Sequence, residues 1–148
     1  MNKYSSLYEY DELNTNRIYR GPSCDTVGNA VTTVCSYAVT VADPFTTDDV
    51  LIIKPMNPNE KVVNISIVQS GDADTDNDFT FNLGYTSDPD RLAAASTGLQ
   101  AGTAVELDHS TTAGLAPAVA GDNLILSRVA GELEAAATLA IVVETVIV

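Results

Sequence analysis

"KVVNISIVQSGDADTDNDFTFNLGYT", residues 61–86, decides the fold class. In "KVVNISIVQ" (61–69), Val63, Ile65 and Ile67 share one face, with Asn64 and Ser66 on the other. In "FTFNLGYT" (79–86), Phe79, Phe81, Leu83 and Tyr85 alternate with Thr80, Asn82 and Thr86. A period of two sends successive side chains to opposite faces of a strand, so each run predicts a strand with one buried face. The stretch between them, "SGDADTDNDF" (70–79), sets Asp72, Asp74, Asp76 and Asp78 at every second position and reads as the connection of a hairpin.

Further strand-like runs follow outward from this pair. "AVTTVCSYAVTV" (30–41) is rich in β-branched residues and ends at "ADPF"; "DVLIIKP" (49–55) stops at Pro55. "TAVELDH" (103–109), "NLILSRV" (123–129) and "AATLAIVVETVIV" (136–148) complete the set. "SDPDRLAAASTGLQ" (87–100) is the one helical signal and predicts a short helix over about 88–99. Ser87 or Asp88 would cap it, Pro89 suits its first turn, and Leu92, Ala95 and Leu99 share a face. About seven or eight strands, one inserted helix and no βαβ rhythm predict an all-β antiparallel β-sandwich or jelly roll.

Length and composition bound the function. The chain has 148 residues, enough for a single core without metal or disulfide help. Its hydrophobic content of 45% predicts a folded chain despite a net charge of −13. Phosphate binding needs clustered Lys and Arg, and only seven are spread over this chain, which argues against DNA, RNA or an anionic membrane as direct partners. No stretch reaches the roughly 18–20 apolar residues of a transmembrane helix. The opening "MNKYSSLYEYDELNTNR" lacks the apolar region of a signal peptide, which predicts synthesis in a cytoplasm. Cys24 and Cys35 are then expected as a free, reduced pair.

Residues 1–30 differ from the remainder. They hold Tyr4, Tyr8, Tyr10 and Tyr19, four of the six tyrosines, with Lys3, Arg17 and Arg20 among the seven basic residues. Their formal charge is −1, which leaves −12 for the other 118 residues. No clean period runs through them, so the expected division is an extended or irregular arm (1–30) and a β-sandwich domain (31–148). Aromatic side chains carry large burial area and are enriched at interfaces. Tyr4, Tyr8, Tyr10, Arg17, Tyr19 and Arg20 are therefore the candidate partner-binding residues.

The aspartates admit two readings. A helix–loop–helix calcium site would use Asp72, Asp74 and Asp76, but Asn77 stands where Gly is required and Leu83 where a bidentate Glu is required. The better expectation is a solvated turn, dispensable for folding, whose charge blocks edge-to-edge strand pairing. His109, the only histidine, follows Asp108, and neighbours in a strand face opposite ways, so the two make no ready dyad. No phosphate loop, dinucleotide fingerprint, HExxH or CxxC is present, so no cofactor, metal or catalytic residue is assigned.

The stretch 47–104, "DDVLIIKPMNPNEKVVNISIVQSGDADTDNDFTFNLGYTSDPDRLAAASTGLQAGTA", resembles the head decoration, or cement, proteins of tailed bacteriophages. The features in common are a strand ending in a proline-containing turn, an alternating strand, an acidic or Gly-containing turn, and a strand of the "FTFNLGY" type before an Asp-rich turn into a short Ala-rich helix. The resemblance implies a non-enzymatic virion protein: a β-sandwich or jelly roll on the outer capsid surface, binding the major capsid protein as a dimer or trimer. It carries over no site residue, and the arm lies outside it. The alternative is a carbohydrate- or calcium-binding module of a tail or fibre. That alternative lacks tryptophan, and only Tyr37 and Tyr85 lie beyond the arm to stack on sugars.

Overall fold

The structure, a computed structural model, describes residues 1–11, 16–23, 27–108 and 117–148; Cys24 and His109 lie outside them. The short strands β1 (Asn2–Tyr4), β2 (Tyr8–Asp11) and β3 (Asn16–Tyr19) come first. The body follows: β4 (Ala30–Val39), β5 (Val50–Pro55), β6 (Glu60–Ser70), β7 (Thr80–Tyr85) and β8 (Asp88–Ser96), then β9 (Val105–Asp108), β10 (Asn123–Ala130) and β11 (Ala137–Ile147). A five-stranded sheet has the order β1-β5-β10-β7-β8, and a four-stranded sheet the order β4-β11-β6-β9. The body strands pair antiparallel, as the alternating runs required, whereas β1 joins β5 in parallel.

The core lies between the two sheets and is filled from inward positions on both. Phe79, Phe81 and Leu83 are fully buried and Tyr85 nearly so, as their alternation predicts. Tyr37 meets Phe45 edge-on at 6.1 Å, Phe45 meets Phe79 at 6.0 Å, and Phe79 stacks with Phe81 at 5.9 Å. On β6 the inward side is Val62, Ile65 and Ile67, not Val63. The pairing to β11 passes from Asn64 to Val62 between Glu144 and Thr145, and this bulge shifts the alternation by one residue.

Three expectations need correction. First, 88–99 is not helical. Asp88–Ser96 is strand β8, followed by a single 3-10 turn over Gln100–Gly102. A helix of that length is marginal alone, and alanine's helical advantage amounts to only tenths of a kcal/mol per residue. Without β8, the outer edge of β7 would be left unpaired. Pro89 is tolerated because β8 is an edge strand. Gly84 lets the two strands close: a Cβ there would lie 2.3 Å from the Asp88 carbonyl oxygen. Leu92 and Leu99 are buried as the helical pattern wanted, but strand and turn bring them there.

Second, the aspartate stretch is not a hairpin, because β6 and β7 belong to different sheets and residues 71–79 cross between them. Asp74 is fully buried in that corner. Its carboxylate accepts the Phe79 N–H (3.0 Å) and the Asp78 N–H (3.2 Å).

Third, the N-terminal segment is regular, and it begins inside the body. Lys3 and Ser5 are buried, and β1 extends the five-stranded sheet. Ser5 N–H donates to the Ile52 carbonyl (3.0 Å) and its Oγ to the Ile53 carbonyl (2.7 Å). Ser6 N–H then reaches the Ser36 carbonyl (2.7 Å), and Ser36 N–H donates to Ser6 Oγ (2.9 Å). Residues 5 and 6 thus sew β5 in one sheet to the edge of β4 in the other.

Candidate functional site

Beyond this seam the chain turns into the β2–β3 hairpin, in which Tyr8 pairs with Tyr19 and Tyr10 with Arg17. The register places the aromatic rings in contact: Tyr4 to Tyr8 at 5.2 Å and Tyr8 to Tyr19 at 5.3 Å between centroids. Arg17 lies over the Tyr4 ring at 5.5 Å and over the Tyr10 ring at 5.2 Å. Five of the six candidate residues therefore form one cluster. The sixth, Arg20, stands apart and pairs with Glu9 at 3.3 Å on the exposed side.

The cluster spends most of its aromatic surface on itself. Tyr4, Tyr8 and Tyr19 are half-buried, and Tyr10 is the one left mainly open, at 53% exposure. Tyr19 OH donates to the Pro22 carbonyl (2.9 Å). Burial, with the Tyr19 and Tyr4 phenols adding to it, raises the Tyr8 pKa well above its ordinary value. Burial likewise pushes Tyr19 up to about 12. Both phenols stay protonated at neutral pH and so keep an O–H to donate. Arg17 and Arg20 are exposed; Arg17 lies over the open Tyr10 ring, and Arg20 stands apart with Glu9.

Sequence reasoning missed the residues beneath the cluster. Lys3 bonds Asp43 and lies 3.9 Å from Asp49, and Tyr37 comes in from β4. Lys3, Asp43 and Tyr37, together with Tyr8 and Arg17, line a cavity of about 260 Å³. The signal available was the buried–open alternation of Lys3, Tyr4 and Ser5, too short to register as a strand. Tyr37 was legible only as an inward position of β4.

At the aspartate corner a second cavity of about 270 Å³ is lined by Asp76, Asp78, Arg128, Gly131, Glu132 and Glu134. Glu134 accepts the Thr75 N–H (2.7 Å) and bonds the Thr75 hydroxyl, which ties the corner to the β10–β11 turn. Among the described residues no three carboxylate, histidine or cysteine side chains are grouped to hold a metal. Cys35 is a buried free thiol, pushed up to about 11 by burial. Tyr37 and Tyr85 are 8% and 3% exposed, so neither offers a ring to a sugar.

The sequence matches no family model and no curated protein. Solved structures give a likeness of fold. A chain of the cyanophage Pam1 capsid asymmetric unit superimposes with a TM-score of 0.60 at 20% identity, covering 84% of this chain and 89% of that one. A chain of the capsid of Ralstonia phage GP4 gives a TM-score of 0.57 at 23% identity, covering 84% and 88%.

Proposed function

We propose that this chain is a non-enzymatic structural protein of a phage virion, a decoration protein that binds the outer surface of the major capsid shell and stabilises it. The observation that carries the proposal is the likeness over 84% of the chain to chains from two phage capsids. The strand order supports the jelly-roll form of it. Among β4 to β11 the first and last strands are neighbours, and β7–β8 is the only consecutive pair sharing a sheet.

The mechanism is interface burial. About 1,200–2,000 Å² of joint surface suffices for stable attachment, and repetition over a shell supplies avidity. The β2–β3 hairpin, with Tyr10, Arg17 and Arg20 outward, is the docking element. Its segment is near neutral, so it approaches an acidic surface that a body at −12 would meet with repulsion. A dimer or trimer would set several hairpins on one site.

The test is to mix purified protein with bare heads of the phage that encodes it, then sediment and image the particles. Ordered density on the outer shell, with raised resistance of the heads to heat, is expected. Protein that stays in the supernatant, and is missing by mass spectrometry from purified virions, refutes the proposal.

A further inference from the structure

We propose that the cavity between β1, Arg17 and Tyr37 is a socket for a carboxylate, filled in the assembled particle by an aspartate or glutamate side chain of the shell subunit. The choice of partner rests on the decoration reading; the chemistry of the socket does not.

Tyr37 gives the first reason. It lines the cavity, is 8% exposed, and its hydroxyl is buried with no hydrogen-bond partner. Buried polar groups in folded proteins are nearly always paired, so an orphan on a cavity wall points to a guest. Thr33 and Thr145 carry the other two orphaned hydroxyls among the described residues, and neither lines this cavity.

The balance of donors gives the second. Lys3 presents an ammonium of which Asp43 takes one hydrogen bond. The central carbon of the Arg17 guanidinium lies over the Tyr4 and Tyr10 rings, which restrains the group while its N–H donors remain able to meet an acceptor. Its side chain makes no hydrogen bond to a described residue. Tyr8 and Tyr37 add two phenols kept protonated by burial, the latter pushed up to about 12. Against these donors stand Asp43 on the wall, bonded to Lys3, and Asp49 behind it, 3.9 Å from Lys3 and 3.4 Å from the terminal amine of Met1, which also lines the cavity; with Arg17 that sets three cations against two carboxylates. A net positive pocket in a chain at −13 calls for an anion, and a planar two-oxygen acceptor fits a guanidinium edge best.

Size and position give the third. At about 260 Å³ the cavity falls just below the range of drug-sized sites and suits one side chain. Arg17 both lines the cavity and lies over Tyr10, the most exposed ring of the hairpin, so a chain docked on that ring is within reach of the cavity.

The experiment begins with the isolated full-length protein. Tyrosine ring signals are followed by NMR during titration with capped glutamate, N-acetyl-glutamic acid α-amide, and in parallel with capped glutamine and with sulfate. Saturable millimolar shifts of Tyr8 and Tyr37 are expected with capped glutamate alone. Affinity should fall at least tenfold in Arg17→Gln and in Tyr37→Phe. Tyr37→Phe removes a hydroxyl that bonds nothing in the protein, so it should fold and melt like the parent. Shifts that never saturate, equal binding of sulfate or capped glutamine, or full affinity in Tyr37→Phe would each overturn the socket; the last would mean that glutamate binds away from the Tyr37 hydroxyl. The second step uses bare heads. At least tenfold weaker binding of Arg17→Gln and Tyr37→Phe supports the shell carboxylate, and unchanged binding overturns that assignment while the socket stands. Parent protein that ignores the heads altogether sinks the decoration reading, and the titration still decides the socket.

Discussion

Replacing Asp74 by asparagine tests whether the acidic corner holds the two sheets in place. Asp74 is fully buried, and its two carboxylate oxygens accept the Asp78 and Phe79 amides at the point where the chain enters β7. Its own N–H donates to Asp72 Oδ1 (3.1 Å), and its carbonyl accepts the Asn77 N–H (3.2 Å). Asparagine keeps the shape but offers one acceptor oxygen, so one backbone N–H faces an amide NH₂ and loses its bond. Hydrogen bonds to a charged group are worth about 1.5–3 kcal/mol, and about 2 kcal/mol is the expected loss. For a domain of this size that lowers Tm by about 4–8 °C. The control is Asp76→Asn, at an exposed side chain in the same turn, which should stay within about 0.5 kcal/mol of the parent. Urea denaturation followed by tyrosine fluorescence measures both. If Asp74→Asn melts with the parent and with Asp76→Asn, the corner is a solvated turn after all.

Lys54→Met leaves Glu60 fully buried without its ammonium partner and should cost about 3–5 kcal/mol in urea denaturation, with Lys61→Met, at a half-buried lysine, far milder. Gly131→Ala should be severe, because φ is +67° and the new Cβ would lie 2.4 Å from Asp78 backbone atoms. Gly121→Ala, at φ +86° with nothing within 4 Å, should cost only about 1–2 kcal/mol of backbone strain. Stability should fall from about pH 9 to about pH 11, since Cys35 is raised from 9.0 to about 11 and the unfolded chain then releases its proton first. That one thiol accounts for about 2–3 kcal/mol, and Cys35→Ala should flatten the alkaline limb of a Tm–pH profile. Deleting residues 2–29 should leave a folded sandwich, because no fully buried hydrophobic residue of the described core precedes Cys35 and only Leu7 of the deleted segment packs against it. It should be less stable by about 4 kcal/mol for the four seam hydrogen bonds, and an unfolded circular dichroism spectrum would refute this.

Strands were legible where alternation ran for six residues or more, since side-chain period is a local property. The run over 137–147 and the run over 79–86 needed nothing else. What lay beyond local pattern was partner choice. Residues 61–69 and 79–86 look like a hairpin because they are adjacent, yet the first pairs with β11 and β9 and the second with β10 and β8. The Ala-rich stretch misled for a related reason: an edge that needs covering overrides a weak helical preference, and only the assembled sheet shows that edge. The candidate site was half legible. Tyrosines in an aperiodic segment flagged the hairpin, while Lys3 and Tyr37, over thirty residues apart, meet only through the fold.

The acids carry a pattern that composition hides. Among the described residues four carboxylates are buried: Asp49, Glu60, Asp74 and Asp122. Each sits on a connection between the sheets and accepts backbone amides there. Asp49 takes the Thr46 N–H (2.8 Å), Glu60 the Asn57 N–H (2.7 Å), and Asp122 the Val119 and Ser87 N–H groups (both 2.9 Å). In three of the four the acceptor lies three residues after its donor, at the entry of a strand, in "TTDDV" (46–50), "NPNEK" (57–61) and "VAGDN" (119–123). A chain that crosses between sheets must turn sharply inside the structure, where its amides lose water, and a carboxylate in place of that water keeps the turn closed. An acid at the entry of an apolar run, closing on the backbone amide three positions earlier, is therefore the mark these crossings share. The aspartate-rich corner into β7 is the fourth of the kind, held by the buried Asp74 while Asp72, Asp76 and Asp78 face solvent.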